Sequence, residues 1–337
     1  TQAPSTTSRV LVVLSGATAN ISGLTFTGGQ PNGDGLGCFG QTCGGGIFNA
    51  GSLTLTECVI TGNSPSGITS LGGGIFTRGS LTLVNSTVSN NSISVGGSQN
   101  IGGGIAVIDG TVNLLQSTVS GNTASGGGSD NFGGGIYSQG GTLRLTNSTI
   151  SGNSVSGGFF ADGGGIAGNG GTITATNCTI AGNAASDGDQ STQGGGVFGN
   201  LTARNTVIAG NTVSGNNSQG PDVRGTLTSR GQNLLSNNAN TTITPTIGDQ
   251  IGTPASPINP LLAPLGNYGG PTQTHALLPG SPAINAGNNC VLTVNGCGAS
   301  DPTSALTTDQ RGIARVGTVD IGAFESRGFA LTPTSGN

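Results

Sequence analysis

Four aspartates offer the clearest chemistry in this chain. Asp130, Asp162, Asp187 and Asp189 recur shortly before successive glycine triplets. Hard carboxylate oxygens presented by loops suit Ca2+, so the four form a candidate calcium set along one edge of the molecule. Solvated loop carboxylates are the plainer reading. A catalytic pair is the third, because glycoside hydrolysis needs two carboxylates roughly 5–10 Å apart. No His, Lys or Arg accompanies these loops, which counts against catalysis. His275 is the single histidine, so nucleophilic triads and zinc clusters lack parts. Glu57 heads a column continued by Asn85, Gln116, Asn147, Asn177 and Asn205, and it reads as a polar structural position.

The six cysteines divide by spacing. Cys38 and Cys43 are close in sequence, as are Cys290 and Cys297, and neither pair has the CxxC spacing of a metal site. Two local disulfides are expected, which points to an oxidising setting. Cys58 and Cys178 share a repeat position with Ser86, Ser117 and Ser148. Four coils separate them, about 19 Å at strand spacing, so they should be free, buried thiols.

The chain that must position these groups has 337 residues, of which 67 are glycine; only 32% are hydrophobic and 7% charged. All nine basic residues are Arg, and the net charge is −4. So much Gly, with Ser, Thr and Asn, excludes a helical protein. The charge excludes a basic nucleic-acid surface. No apolar run reaches the ~20 residues of a spanning helix. A start at Thr1, without Met, fits a processed, secreted chain found outside the cell or on its surface.

Two markers repeat. GGGI or GGGV begins at Gly44, Gly72, Gly102, Gly133, Gly163 and Gly194, while an Asn-ended turn closes at Asn63, Asn91, Asn122, Asn153, Asn183 and Asn211. Between them lie alternating segments such as Leu53-Thr54-Leu55 and Leu143-Arg144-Leu145. Alternation marks strands with one face inward. A period of about 30 residues predicts an all-β parallel β-helix of about 8 coils, three short strands to a coil. The triplets should form a stripe free of side chains, and the Asn amides should bond along the stack. The expected divisions are an N-terminal strand and capping coil over 1–30, repeats over 31–252, a C-terminal cap over 253–326 and a polar tail over 327–337.

The GGGI and SGN blocks resemble the GGA[ILV] and FxxN repeats of polymorphic outer-membrane protein adhesins, with Gly for Ala and no Phe before the Asn turn. That resemblance implies a right-handed β-helix. The C-terminal part carries Leu265-Gly266-Asn267-Tyr268-Gly269-Gly270-Pro271, then His275 to Gly287, Thr308 to Gly312 and Asp320 to Glu325. It resembles the "choice-of-anchor" domain of bacterial surface proteins, which implies a β-helix followed by a sorting tail. Asn285 stands where that family usually has Asp.

The Pro-rich C-terminal segment breaks the repeat and should cover the open end of the helix. Asp309, Arg311, Arg315, Asp320 and Glu325 could form an ion-pair cluster holding it. The expected function is a non-catalytic surface protein, structural or adhesive. Its expected partners are copies of itself and surface glycans. Assembly would use the strand Arg9, Val10, Leu11, Val12, Val13, Leu14, added to a neighbour's open edge. The alternative is a polysaccharide-binding or polysaccharide-degrading β-helix with an acidic, aromatic cleft. No cofactor beyond Ca2+ is implied.

Overall fold

The structure is a computed structural model that describes residues 8–32, 38, 40–126, 128–298 and 301–327. Thr1–Thr7 and the tail beyond Arg327 lie outside the described residues.

The chain is a parallel β-solenoid. Leu53 pairs in register with Leu81, Leu81 with Val112, Val112 with Leu143 and Leu143 with Ile173, all in parallel. In Ser52–Thr56 the two leucines are buried while the alternate residues stay half-buried or exposed. The inward residues of successive coils merge into one continuous apolar lumen, from Val13 and Phe26 to Leu227 and Leu235.

A full coil has five strands rather than three. One coil runs Ile105–Ile108, Thr111–Leu115, Thr118–Ser120, Thr123–Ser125 and Asp130–Phe132. The last two occupy what reads in sequence as a long loop. Each buries one central residue, as in Thr123–Ser125, so no alternation longer than three residues marks them.

Each glycine of a triplet has its own reason. The first has positive φ, for example 69° at Gly102 and 66° at Gly133. The second runs against the next coil, where a Cβ on Gly103 would lie 2.4 Å from Gly134 O. The triplets are buried, so they form no outer stripe. The third glycine packs on the asparagines, which form a ladder as expected. Asn63 Nδ2 donates to Asn91 Oδ1 at 2.9 Å, and the same bond recurs at Asn91, Asn122, Asn153 and Asn183. The left-handed corner residue is the one before each Asn, such as Gly62 or Asn90. The column from Glu57 to Asn205 is also left-handed, which favours its asparagines.

The C-terminal segment overturns the expectation of an end cap. It lies along the solenoid's flank as a strap. Gln116 Nε2 donates to Asp309 O, Asn147 Nδ2 to Thr308 O, and Asn205 Nδ2 to Asn288 O, on three of four successive levels of the stack. The outer residues of Val59–Thr61 and Thr87–Ser89 are half-buried, whereas those of Thr118–Ser120, Thr149–Ser151 and Thr179–Ala181 are buried beneath the strap. The outer face is polar at Thr118 and Thr149, which hydrogen-bond the strap, and apolar beyond them. Val207, Ala209 and Leu234 pack outward against Leu277, Ala283 and Ile321 of the strap.

Candidate functional site

The site builds from the residue that follows each GGGI or GGGV. These residues stack in register as Phe48, Phe76, Ala106, Tyr137, Ala167 and Phe198, and Arg224 follows. Lumen residues flank them in each strand, so by alternation this column points out of the solenoid. The fifth strands supply a second outward column, Cys43, Leu71, Ile101, Phe132, Asp162 and Gln193. The two columns meet as the walls of an external groove, with their own apolar cluster separate from the lumen. Phe48 and Phe76 stack at 5.4 Å, Phe132 and Tyr137 at 6.1 Å.

Alanine at 167 leaves a gap between the aromatic levels above and below. A cavity of about 340 Å³ opens there, with Asp162, Asn169 and Gln193 among aromatic side chains. A smaller recess of about 200 Å³ lies further along the same wall, by Leu71, Phe76 and Ile101. Asp162 is 3% exposed, and its Oδ1 is buried without a hydrogen-bond partner. Burial pushes its carboxyl up to about 7; the Gln193 backbone and Arg224 oppose the rise, and Asp130 adds to it. Burial also raises the Tyr137 phenol.

The four aspartates do not converge. Asp130 and Asp162 lie on neighbouring fifth strands, opposite Phe160 and Phe132 respectively. Asp187 and Asp189 precede the strand Ser191–Gln193. Among the described residues no three of His, Cys, Asp or Glu gather as a metal site. Asp130 is held by Gln99 Nε2 at 3.2 Å.

Both expected disulfides are present, Cys38–Cys43 and Cys290–Cys297, and Cys58 and Cys178 are buried free thiols. Burial pushes the Cys178 thiol up to about 12. The five charges of the C-terminal segment do come together. Arg315 pairs with Glu325 at 2.9 Å and Arg311 with Asp309 at 2.6 Å, while Asp320 accepts from Asn285 N. Arg315 Nη2 also reaches Asn147 Oδ1 of the solenoid at 3.0 Å. Ser151 Oγ lies 2.8 Å from His275 Nε2, and His275 Nδ1 lies 2.8 Å from Ala263 O. Both residues are buried where the strap meets the solenoid, so the pair helps to fasten it.

Leu11–Val13, from the expected assembly strand, is already seated in its own first coil, paired with Ile47–Asn49. Leu11–Val13, Thr18–Ser22 and Thr25–Thr27 each pair on one side only, as do Thr241–Ile243 and Gln250–Ile251 at the opposite end. Lumen residues Leu11, Ala19 and Ile21 at one end, and Ile243 and Ile251 at the other, are only partly buried.

The aromatic column of the groove was missed in sequence, although its signal is simple: the position after GGGI or GGGV reads Phe, Phe, Ala, Tyr, Ala, Phe. No family model, curated protein or solved structure matches the chain.

Proposed function

We propose that the protein is a non-catalytic extracellular structural element that stacks head to tail with copies of itself. One observation carries this reading. At both ends of the solenoid the described terminal strands pair on one side only, above lumen residues that are partly exposed. A stacked repeat needs polar end units to stay apart from its neighbours. Here the segment that would have closed an end lies on the flank instead. All coil-to-coil pairing is parallel, so a second copy in the same orientation continues the ladder. Such a contact is heterologous and generates a filament where the rotation does not close. The local disulfides suit an oxidising exterior. Because Leu11–Val13 serves its own coil, the outward edge of that strand, rather than the detached strand, meets the neighbour.

Negative-stain electron microscopy and fibre diffraction test this. The expected result is filaments whose length grows with protein concentration and which give an axial reflection near ~4.8 Å. Ala19→Asp and Ile243→Asp should leave single rods with unchanged β-sheet circular dichroism. Single rods of the wild type at every concentration would overturn the reading.

A further inference from the structure

We propose that the recess at Ala167 is a binding site for a neutral oligosaccharide, held against Phe132, Tyr137 and Phe198 with its hydroxyls on Asp162, Asn169 and Gln193. The groove gathers Phe48, Phe76, Phe132, Tyr137, Phe160 and Phe198, six of the twelve aromatic residues (10 Phe plus 2 Tyr) in the chain. A globular surface seldom keeps an apolar groove of this kind without an occupant. Phe160 is 40% exposed beside it.

The chemistry of the recess selects the occupant. The flat face of an aromatic ring is electron-rich and receives the C–H face of a sugar ring. Asp162 Oδ1 is buried, unpartnered and lines the cavity. Such an atom costs free energy until a ligand donates to it. A lipid or an apolar peptide side chain would leave Asp162 Oδ1 without a donor. An anionic sugar would lie against the Asp162 carboxyl with a second carboxylate, Asp130, nearby and only Arg224 to offset them. Neutral hydroxyls both donate and accept, which fits an acid, two amides and three rings. The column also sets a length. Alanine recurs at 106 and 167, two coils apart, about 9.6 Å at strand spacing. An extended glycan chain lying along the groove therefore meets alternating rings and gaps.

The site is on the flank, away from both stacking ends, so binding is read equally on single rods and on filaments. The test is isothermal titration with neutral hexasaccharides of β-1,4-glucan, β-1,4-mannan, β-1,3-glucan and α-1,4-glucan. At least one should bind the wild-type chain. Tyr137→Ala should weaken that binding at least tenfold. Ala167→Phe, which fills the gap without removing a polar group, should abolish it at an unchanged melting temperature. No binding by any of the four, or binding indifferent to both substitutions, would overturn the assignment. Release of new reducing ends that stops in Asp162→Asn would overturn it in favour of hydrolysis.

Discussion

Asp162 occupies, one coil on, the register position of Phe132. The wall column is apolar from Cys43 through Leu71 and Ile101 to Phe132, and then a carboxyl replaces the ring. The exchange places an ionisable group in surroundings built for hydrocarbon. A carboxyl there favours its protonated form.

The first prediction concerns pH. The Asp162 carboxyl titrates at about 7 in the fold, against 3.8 ordinarily. The folded state therefore holds a proton that the unfolded chain has lost. Its stabilisation is complete below the ordinary value and disappears as pH rises through about 7. Asp222 and Asp320, both raised to about 6, act in the same direction but finish lower. Burial lowers His275 from 6.5, so its opposing contribution grows as pH falls toward and below that value. From pH 6.5 to 8 the remaining slope belongs mainly to Asp162 and amounts to about 1 kcal/mol. Urea midpoints should fall across that interval in the wild type and stay flat in Asp162→Asn. An equal slope in both proteins would refute this account.

Much of the solenoid was legible because its signals are local and repeated. Alternation at Leu53 and Leu55 gives the strand, and the spacing from Asn63 to Asn91 gives the coil. The cysteine pairs were legible because each lies within a few residues. The strap's position was not. It follows from the outward faces of Thr149, Val207 and Leu234, and outward residues of polar and apolar type alternate with lumen residues in the same way. The groove escaped because its members are about 30 residues apart and belong to two columns; only the fold brings Asp162 beside Tyr137 and Ala167. The aspartates do not gather because nearness to a glycine triplet fixes the level in the stack but not the place along the strand: Asp130 lies opposite Phe160 and Asp162 opposite Phe132.

The asparagine ladder has a direction. Each Nδ2 donates onward, and the last, Asn211, donates to Asp222 Oδ1 at 2.9 Å. Asp222 can end the run because it need not donate; its Oδ2 accepts Asn237 N at 2.8 Å. In mid-ladder a carboxylate would face Asn153 Oδ1 with no hydrogen to offer. Asn122→Asp should destabilise the protein by about 3 kcal/mol or more at pH 7, the scale of several buried unsatisfied groups. It should recover in part at pH 4, where the acid is protonated. Asn122→Ala should be destabilised without that recovery. Chemical denaturation at the two pH values separates them.

A buried ion pair ties the strap to the solenoid. Arg315 and Glu325 side chains are 0% and 1% exposed, and Arg315 also holds Asn147 of the solenoid. Removing one partner strands the other charge, at a cost of about 3–5 kcal/mol. Arg315→Ala should therefore loosen residues 253–326 before the lumen is disturbed. Limited proteolysis should cut that segment first in the variant, while the wild type resists. Resistance in both would mean that Ser151–His275 and the apolar contacts of Leu277 and Ile321 suffice to hold it.

Glycine substitutions should divide by what a Cβ would meet. On Gly103 it would lie 2.4 Å from Gly134 O and 2.5 Å from Thr123 O, so neighbouring coils would have to separate. On Gly210 it would meet nothing within 4 Å, and the only penalty is a positive φ of 65°. Gly210→Ala should cost about 1–2 kcal/mol, the strain of a left-handed L-residue. Gly103→Ala should cost several-fold more, because parallel strands that must part lose their ladder as well as their packing. Thermal melts of the two variants give the comparison directly. Equal losses would mean that conformational freedom, not the close approach of coils, explains the triplets.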